Sequence, residues 1–274
     1  MPSKIIGGEN QWVKLATALK KSKYREERQL FRAEGVRLAE MALASPLAMA
    51  YALVETAALT AERVRRLVAD LEAKNVPCYE VTPTLYRKIS DTTSPQGVML
   101  IMKKPTHSLS DSPPNSAGLW VALEGVQDPG NVGTIIRTAD ACGAAGILAM
   151  PGTADIFADK VVRGSMGSVF NLPIYEDVTQ EALQDFCQAK RLTLYAAAVD
   201  SEAKSCYRVD FAAATVLAFG NEGNGLSSEL LARAQKIYIP MFGQAESLNV
   251  GAAAAVVLYE WTRQKRGLSA YQGD

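Results

Sequence analysis

From residue 119 onward, short apolar runs alternate with segments of helical periodicity, and this alternation limits the possible folds more than any other feature of the chain. The runs at 119–123, 146–150, 194–198, 215–219 and 237–240 have the length and composition of strands. Helical patterns begin near Val132, cover 159–169, 181–190 and 228–234, and close with a long helix over about 248–265. Strand, helix, strand in succession predicts an α/β domain, its mostly parallel sheet covered on both faces. A ligand site is then expected beyond the carboxyl ends of the strands. No internal repeat of solenoid length is present.

A seam precedes this region. At 105–118, PTHSLSDSPPNSAG, polar and turn-forming residues replace the apolar periodicity on either side. The expected organisation is therefore a first domain over 1–104, a linker over 105–117 and a second domain over 118–274. The linker holds His107, the only histidine of the chain, which reads as a linker residue and not a catalyst. In the first domain, 50–54, 76–81 and 98–102 read as strands and 61–73 as a helix. Residues 23–41 show partly helical spacing, and the whole predicts a small α/β unit.

The formal net charge of zero conceals a segregation. Residues 1–104 carry 17 Lys and Arg against 11 Asp and Glu, a net of +6, and the remainder carries the compensating −6. A basic domain suits a polyanionic partner, because each phosphate contact releases counterions. Lys20, Lys21, Lys23, Arg25, Arg28 and Arg32 are the candidate contacts, with Arg37 nearby, and an ordinary solvated helix face is the alternative reading. Cys78, Cys142, Cys187 and Cys206 lack any CxxC spacing, so neither a zinc site nor a disulfide framework is expected. No run approaches the roughly 18 apolar residues of a membrane span. The polar, basic first 23 residues lack the apolar core of a signal peptide, and the expectation is a cytoplasmic protein.

Three loops follow predicted strands and precede helices. In the first, DPGNVG (128–133), Pro129 and Gly130 turn the chain, Asn131 and Gly133 begin a helix, and Arg137 follows. Helix-start amides with an arginine make an anion site, or else a capped helix whose arginine pairs with a neighbouring acid. The second, FGNEGNGL (219–226), has glycines at 220, 223 and 225 that admit a ligand to the backbone, and Glu222 can face a cation. It reads equally as a flexible turn. The third runs from IPM (239–241) to SLNVG (247–251), where Ser247 and Asn249 either bind a substrate or simply cap the following helix. Neither GxGxxG nor GxxxxGK[ST] occurs.

These three segments, in this order and all after the seam, resemble the signature motifs of the SpoU/TrmH family of SPOUT methyltransferases over about residues 118–266. Residues 23–104, including LFRAEGVRLAE (30–40), are similar more loosely to the substrate-binding domain that precedes many rRNA-directed members. The resemblance implies transfer of a methyl group from S-adenosylmethionine (SAM) to a ribose 2′-hydroxyl of RNA. It implies ribosomal RNA in preference to transfer RNA, a homodimer, and a sheet whose C-terminal part threads a deep trefoil knot. Carried over to this chain, it assigns the cofactor to Gly220, Ile239, Met241 and Leu248. It assigns catalysis to Arg137, with Asn131 and Glu222 orienting it and Ser247 and Asn249 completing the ribose site. No metal is implied. A guanidinium is a poor literal base, so Arg137 is expected to bind the adjoining phosphate or the developing alkoxide. Two rivals are a non-catalytic RNA-binding assembly factor and a nucleotide-dependent oxidoreductase, the latter disfavoured by the missing glycine fingerprint.

Overall fold

The computed structural model describes residues 5–112 and 118–266; part of the expected linker, 113–117, and both chain ends lie outside the described residues. In chain order the helices are α1 (Gln11–Ala18), α2 (Ser22–Arg28), α3 (Val36–Ala44), α4 (Glu62–Ala73), α5 (Pro83–Ile89), α6 (Pro129–Ala141), α7 (Asp159–Gly164), α8 (Gln180–Lys190), α9 (Ser228–Arg233) and α10 (Val250–Arg266). The strands are β1 (Leu30–Glu34), β2 (Met49–Glu55), β3 (Cys78–Val81), β4 (Val98–Lys103), β5 (Leu119–Glu124), β6 (Gly146–Ala149), β7 (Ile174–Tyr175), β8 (Thr193–Ala197), β9 (Lys204–Ser205), β10 (Thr215–Gly220) and β11 (Gln235–Tyr238). No described helix is long and apolar enough to cross a membrane.

The chain forms two compact units, and the division is not linear. Phe157–Asn171 belongs with the residues up to Pro105, and the second unit comprises Thr106–Ile156 and Leu172 onward. A boundary drawn along the sequence assigns 157–171 to the second domain, because only the packing reveals the excursion.

The first unit is a four-stranded sheet of order β1-β4-β2-β3, antiparallel except for the β2/β3 pair. Val13, Ala16 and Leu19 from the α1 region and Tyr86 and Ile89 of α5 close over Tyr51, Leu53, Met99 and Ile101. The alternate strand residues Ala52, Val54, Val98 and Leu100 are also buried, as period-two alternation requires of a sheet covered on both faces. β1 corrects the helical spacing expected over 23–41. Its residues Arg32 and Glu34 look solvent-bound in sequence, yet both are buried. The Arg32 guanidinium donates from Nε to Asp159 Oδ1 at 3.0 Å and from Nη2 to Oδ2, and from Nη1 to the Ala16 and Ile89 carbonyls at 3.3 and 2.8 Å. Glu34 accepts from Ser90 Oγ, the Asp91 amide and Thr92 Oγ1. Phe31 packs on Phe157 at 4.9 Å and Phe170 at 6.2 Å between ring centroids, so the same strand holds 157–171 by apolar contact as well.

The second unit is a seven-stranded sheet of order β7-β6-β5-β10-β8-β11-β9, parallel in every ladder. Trp120, Ala122, Leu148, Val216 and Ala218 face Leu183 and Phe186 of α8 and Leu230 of α9. The intervening Val121, Leu123, Ile147, Leu217 and Phe219 are buried too, on the side of the packed pair α6 and α10. The strands thus read as the continuous apolar runs of a doubly covered parallel sheet. β5 to β7 step outward in one direction, whereas β10 lies between β5 and β8, and β11 between β8 and β9. The order therefore reverses at the β5/β10 pair, which is where α/β sheets open a crevice.

Removing one partner of a buried, fully bonded ion pair strands the other. Arg32→Ala is therefore expected to destabilise the protein by roughly 3–5 kcal/mol, and Arg32→Lys by a substantial part of that, since an ammonium cannot reproduce the forked contact. Urea unfolding checks this; a loss under about 1 kcal/mol would show that Asp159 is not held by this contact.

Candidate functional site

Asp128 caps α6: its side chain accepts the Asn131 amide at 2.9 Å, and Pro129 takes the first helical position. This cap and proline pair starts the helix two residues before the expected Asn131, and its signal is plain in the sequence. Asn131 thereby stands in the first turn with its side chain directed out of the loop.

The glycine loop is ordered from within. Asn221 and Gly225 exchange both backbone hydrogen bonds at 3.0 and 2.9 Å, and Asn221 Oδ1 accepts the Gly223 and Asn224 amides, each at 2.9 Å. Asn221 Nδ2 donates to the Gly125 carbonyl at 2.9 Å, joining this loop to the one after β5. A Cβ at Gly220 would collide with the Gly225 carbonyl, so position 220 admits only glycine. Asn221 was absent from the expected site; an Asn beside Gly in a turn is the signal that marks it.

Glu222 binds the loops together. Its carboxylate accepts the Gln127 amide at 3.2 Å, the Asp128 amide at 3.3 Å and Asn131 Nδ2 at 2.9 Å. Asn131 Oδ1 in turn accepts Asn249 Nδ2 at 3.0 Å, and Asn249 Oδ1 accepts the Gly251 and Ala252 amides at the start of α10. Three loops separated by as many as 118 residues are tied by one chain of bonds, Glu222 to Asn131 to Asn249. Burial pushes the Glu222 carboxyl up, but the bonds from Asn131, from its own backbone and from Gln127 and Asp128 outweigh burial and hold it below 4.5.

Asn131 and Glu222 do not orient Arg137, contrary to the expectation. Six residues rotate a helix by about 600°, so Arg137 lies roughly 120° around α6 from Asn131 and about 9 Å along it. It is exposed, with no hydrogen bond or ion pair to any described residue. Ser247 is exposed, Ile239 and Met241 are half-buried, and Leu248 retains 39% of its surface. Phe242, in the same loop, is 95% exposed.

The proposed RNA contacts divide. Arg25 is buried and donates to the Leu19 and Lys20 carbonyls at 2.8 and 2.9 Å, so it and Arg32 are internal braces and not surface cations. Lys20 is half-buried and bound to the Ser90 carbonyl at 2.9 Å. Lys21, Lys23 and Arg28 are exposed, Lys23 with Glu27 3.7 Å away.

Three loops tied together at the switch point of a parallel sheet are the arrangement in which α/β folds hold a ligand at the carboxyl edge. The SpoU rRNA methylase family matches residues 118–259, and the MRM3-like substrate-binding domain matches 10–100. The 23S rRNA (guanosine(2553)-2′-O)-methyltransferase of Bacillus subtilis is 33% identical over 256 residues, covering 93% of this chain and 97% of that protein. The tRNA (guanosine(18)-2′-O)-methyltransferase of Thermus thermophilus is 37% identical over 148 residues, covering 54% of this chain and 75% of that one. The crystal structure of the AdoMet-bound rRNA methyltransferase of Sinorhizobium meliloti superposes with a TM-score of 0.85 at 33% identity, covering 97% of this chain and 98% of that one. The chain belongs to the SpoU rRNA methylase family.

Because the native value of Glu222 is depressed, its contribution is present above the ordinary carboxylate value and is lost as pH falls through the native one. Amide-exchange protection at Gln127 and Asp128 is expected to hold from about pH 8 to about pH 5 and to fall only in more acid solution. Glu222→Gln should abolish that acid dependence and lower protection about tenfold at neutral pH, the effect of one lost hydrogen bond. Unchanged protection in the variant would show that the carboxylate does not tie the loops.

Proposed function

We propose that this protein transfers the methyl group of SAM to a ribose 2′-hydroxyl of RNA, with ribosomal RNA as the substrate. The observation that carries the reading is the Glu222–Asn131–Asn249 chain, which gathers the three family motif loops at the β5/β10 switch point.

The residues present suit the cofactor. Gly220, Gly223 and Gly225 leave bare backbone, and the half-buried Ile239 and Met241 with the partly exposed Leu248 offer apolar surface to an adenosyl group. When bound, SAM supplies an electrophilic methyl on a sulfonium. The protein's part would be placement, holding a ribose 2′-hydroxyl beside the donor while its proton is released to water. Ser247 Oγ and the Asn249 amide are the groups that position the ribose. Arg137 stabilises the adjoining phosphate or the forming alkoxide. No metal enters this reading.

Arg137 is exposed and turned away from its own Asn131. That orientation favours a homodimer in which each Arg137 serves the partner's site, with the small residues 251–255 of α10 permitting close approach. β10 and β11 enter between strands formed earlier in the chain, which supports the knotted connection of the family. The 1–104 region recognises RNA through exposed cations that include Lys21, Lys23 and Arg28, and the catalytic loops belong to the second unit. Full-length likeness to a ribosomal RNA enzyme, against partial likeness to a transfer RNA enzyme, favours ribosomal RNA. Likeness to a bacterial ribosomal RNA enzyme favours a cytoplasmic setting.

Arg137→Ala is expected to lower methyl transfer by on the order of a hundredfold or more while calorimetric SAM affinity stays within about twofold; near wild-type turnover would refute its role. SAM should bind the wild type and NADH should not, and binding of neither would favour an RNA-binding assembly factor. Neutralising Lys21, Lys23 and Arg28 together should weaken RNA binding and reduce its salt slope by roughly 2–3; an unchanged slope would place the RNA elsewhere.

A further inference from the structure

We propose that Glu124 is a positioning residue that clamps the glycine loop at both ends and so shapes the methyl-donor pocket, an inference that rests on the reading above. Glu124 ends β5 and is half-buried. Its backbone stands in register with Gly220, the last residue of β10 and the first of the loop. Its carboxylate reaches the other end, accepting the Ser227 amide at 2.8 Å and Ser227 Oγ at 2.7 Å. Gln180 Nε2 closes the cluster by donating to Glu124 Oε1 at 2.5 Å and to Ser227 Oγ at 3.0 Å. Ser227 Oγ also caps α9 by accepting the Leu230 amide.

One residue thus holds the entrance of the loop by its main chain and the exit by its side chain. Between these anchors the loop is braced by Asn221 against Gly125, the residue that follows Glu124. Each of these bonds to the carboxylate comes from a neutral donor, and no lysine or arginine among the described residues pairs with it. A carboxyl group on which three donors converge is suited to fixing a backbone geometry. A loop ordered by bonds within itself and to its neighbours reaches the ligand preorganised, which aids binding because less freedom is lost on association. The clamp does not touch the reacting atoms, so its removal is expected to act on donor affinity more than on the transfer step.

The test compares the full-length wild type with Glu124→Ala, Glu124→Gln and Ser227→Ala. In the protein without ligand, amide exchange over 221–227 should quicken at least tenfold in Glu124→Ala and less in the two milder variants. SAM affinity by calorimetry should weaken about ten- to thirtyfold in Glu124→Ala, with kcat at saturating SAM within about threefold of wild type. Unchanged loop exchange, unchanged SAM affinity, or a fall in kcat without a change in affinity would each overturn the clamp. If Glu124→Ala does not fold, Glu124→Gln and Ser227→Ala decide by the same readouts. If the wild type itself binds no SAM, the methyltransferase reading fails, and loop exchange alone still decides whether Glu124 clamps.

Discussion

The site depends on one carboxylate that is satisfied without a cation. Glu222 draws its bonds from two main-chain amides and the Asn131 side chain, and Asn131 passes the connection to Asn249. A parallel sheet fixes its strands firmly but leaves the loops at their carboxyl ends to fend for themselves, because those loops have no ladder partners. Here the loops supply partners to one another. Since the donors are neutral, salt screens this tie far less than it would a surface ion pair, and ionic conditions can modulate RNA binding without loosening the site.

The same economy leaves Arg137 free. Had Glu222 paired with Arg137, the guanidinium would have been neutralised and fixed within its own subunit. Instead the acid is consumed by the loop amides and Asn131, and the arginine stands exposed about a third of a turn around α6. The separation of Glu222 from Arg137, the cation proposed to serve the chemistry, follows from helix rotation between residues 131 and 137.

What the sequence makes visible is periodicity and loop chemistry. The strands at 119–124 and 215–220, the long final helix and the three residues Asn131, Glu222 and Asn249 can all be picked out before any coordinates exist, because each lies at a strand-to-helix junction with a plain polar signal. Strand order cannot: that β10 enters between β5 and β8 is decided by packing among residues about 100 apart. Buried charges mislead as well. Arg25 and Arg32 belong by type to a basic surface, yet their partners Leu19, Lys20, Ala16, Ile89 and Asp159 take them inside. Asp159 lies 127 positions away, so neither the buried pair nor the membership of Phe157–Asn171 in the first unit has a local trace. Glu124 was hidden for a similar reason, since an acid at the end of an apolar strand resembles an ordinary solvent-facing terminus until Ser227 and Gln180 are placed around it.

The central claim is chemical: the three joined loops deliver a methyl group to a sugar oxygen of RNA. The most direct measurement is to incubate the protein with labelled SAM and unmodified ribosomal RNA, digest the product, and identify the labelled nucleoside by mass. A 2′-O-methylnucleoside at a defined position, recovered in alkali-resistant dinucleotides, is expected. A methyl group found on a base, or no transfer by a protein shown to bind SAM, would contradict it.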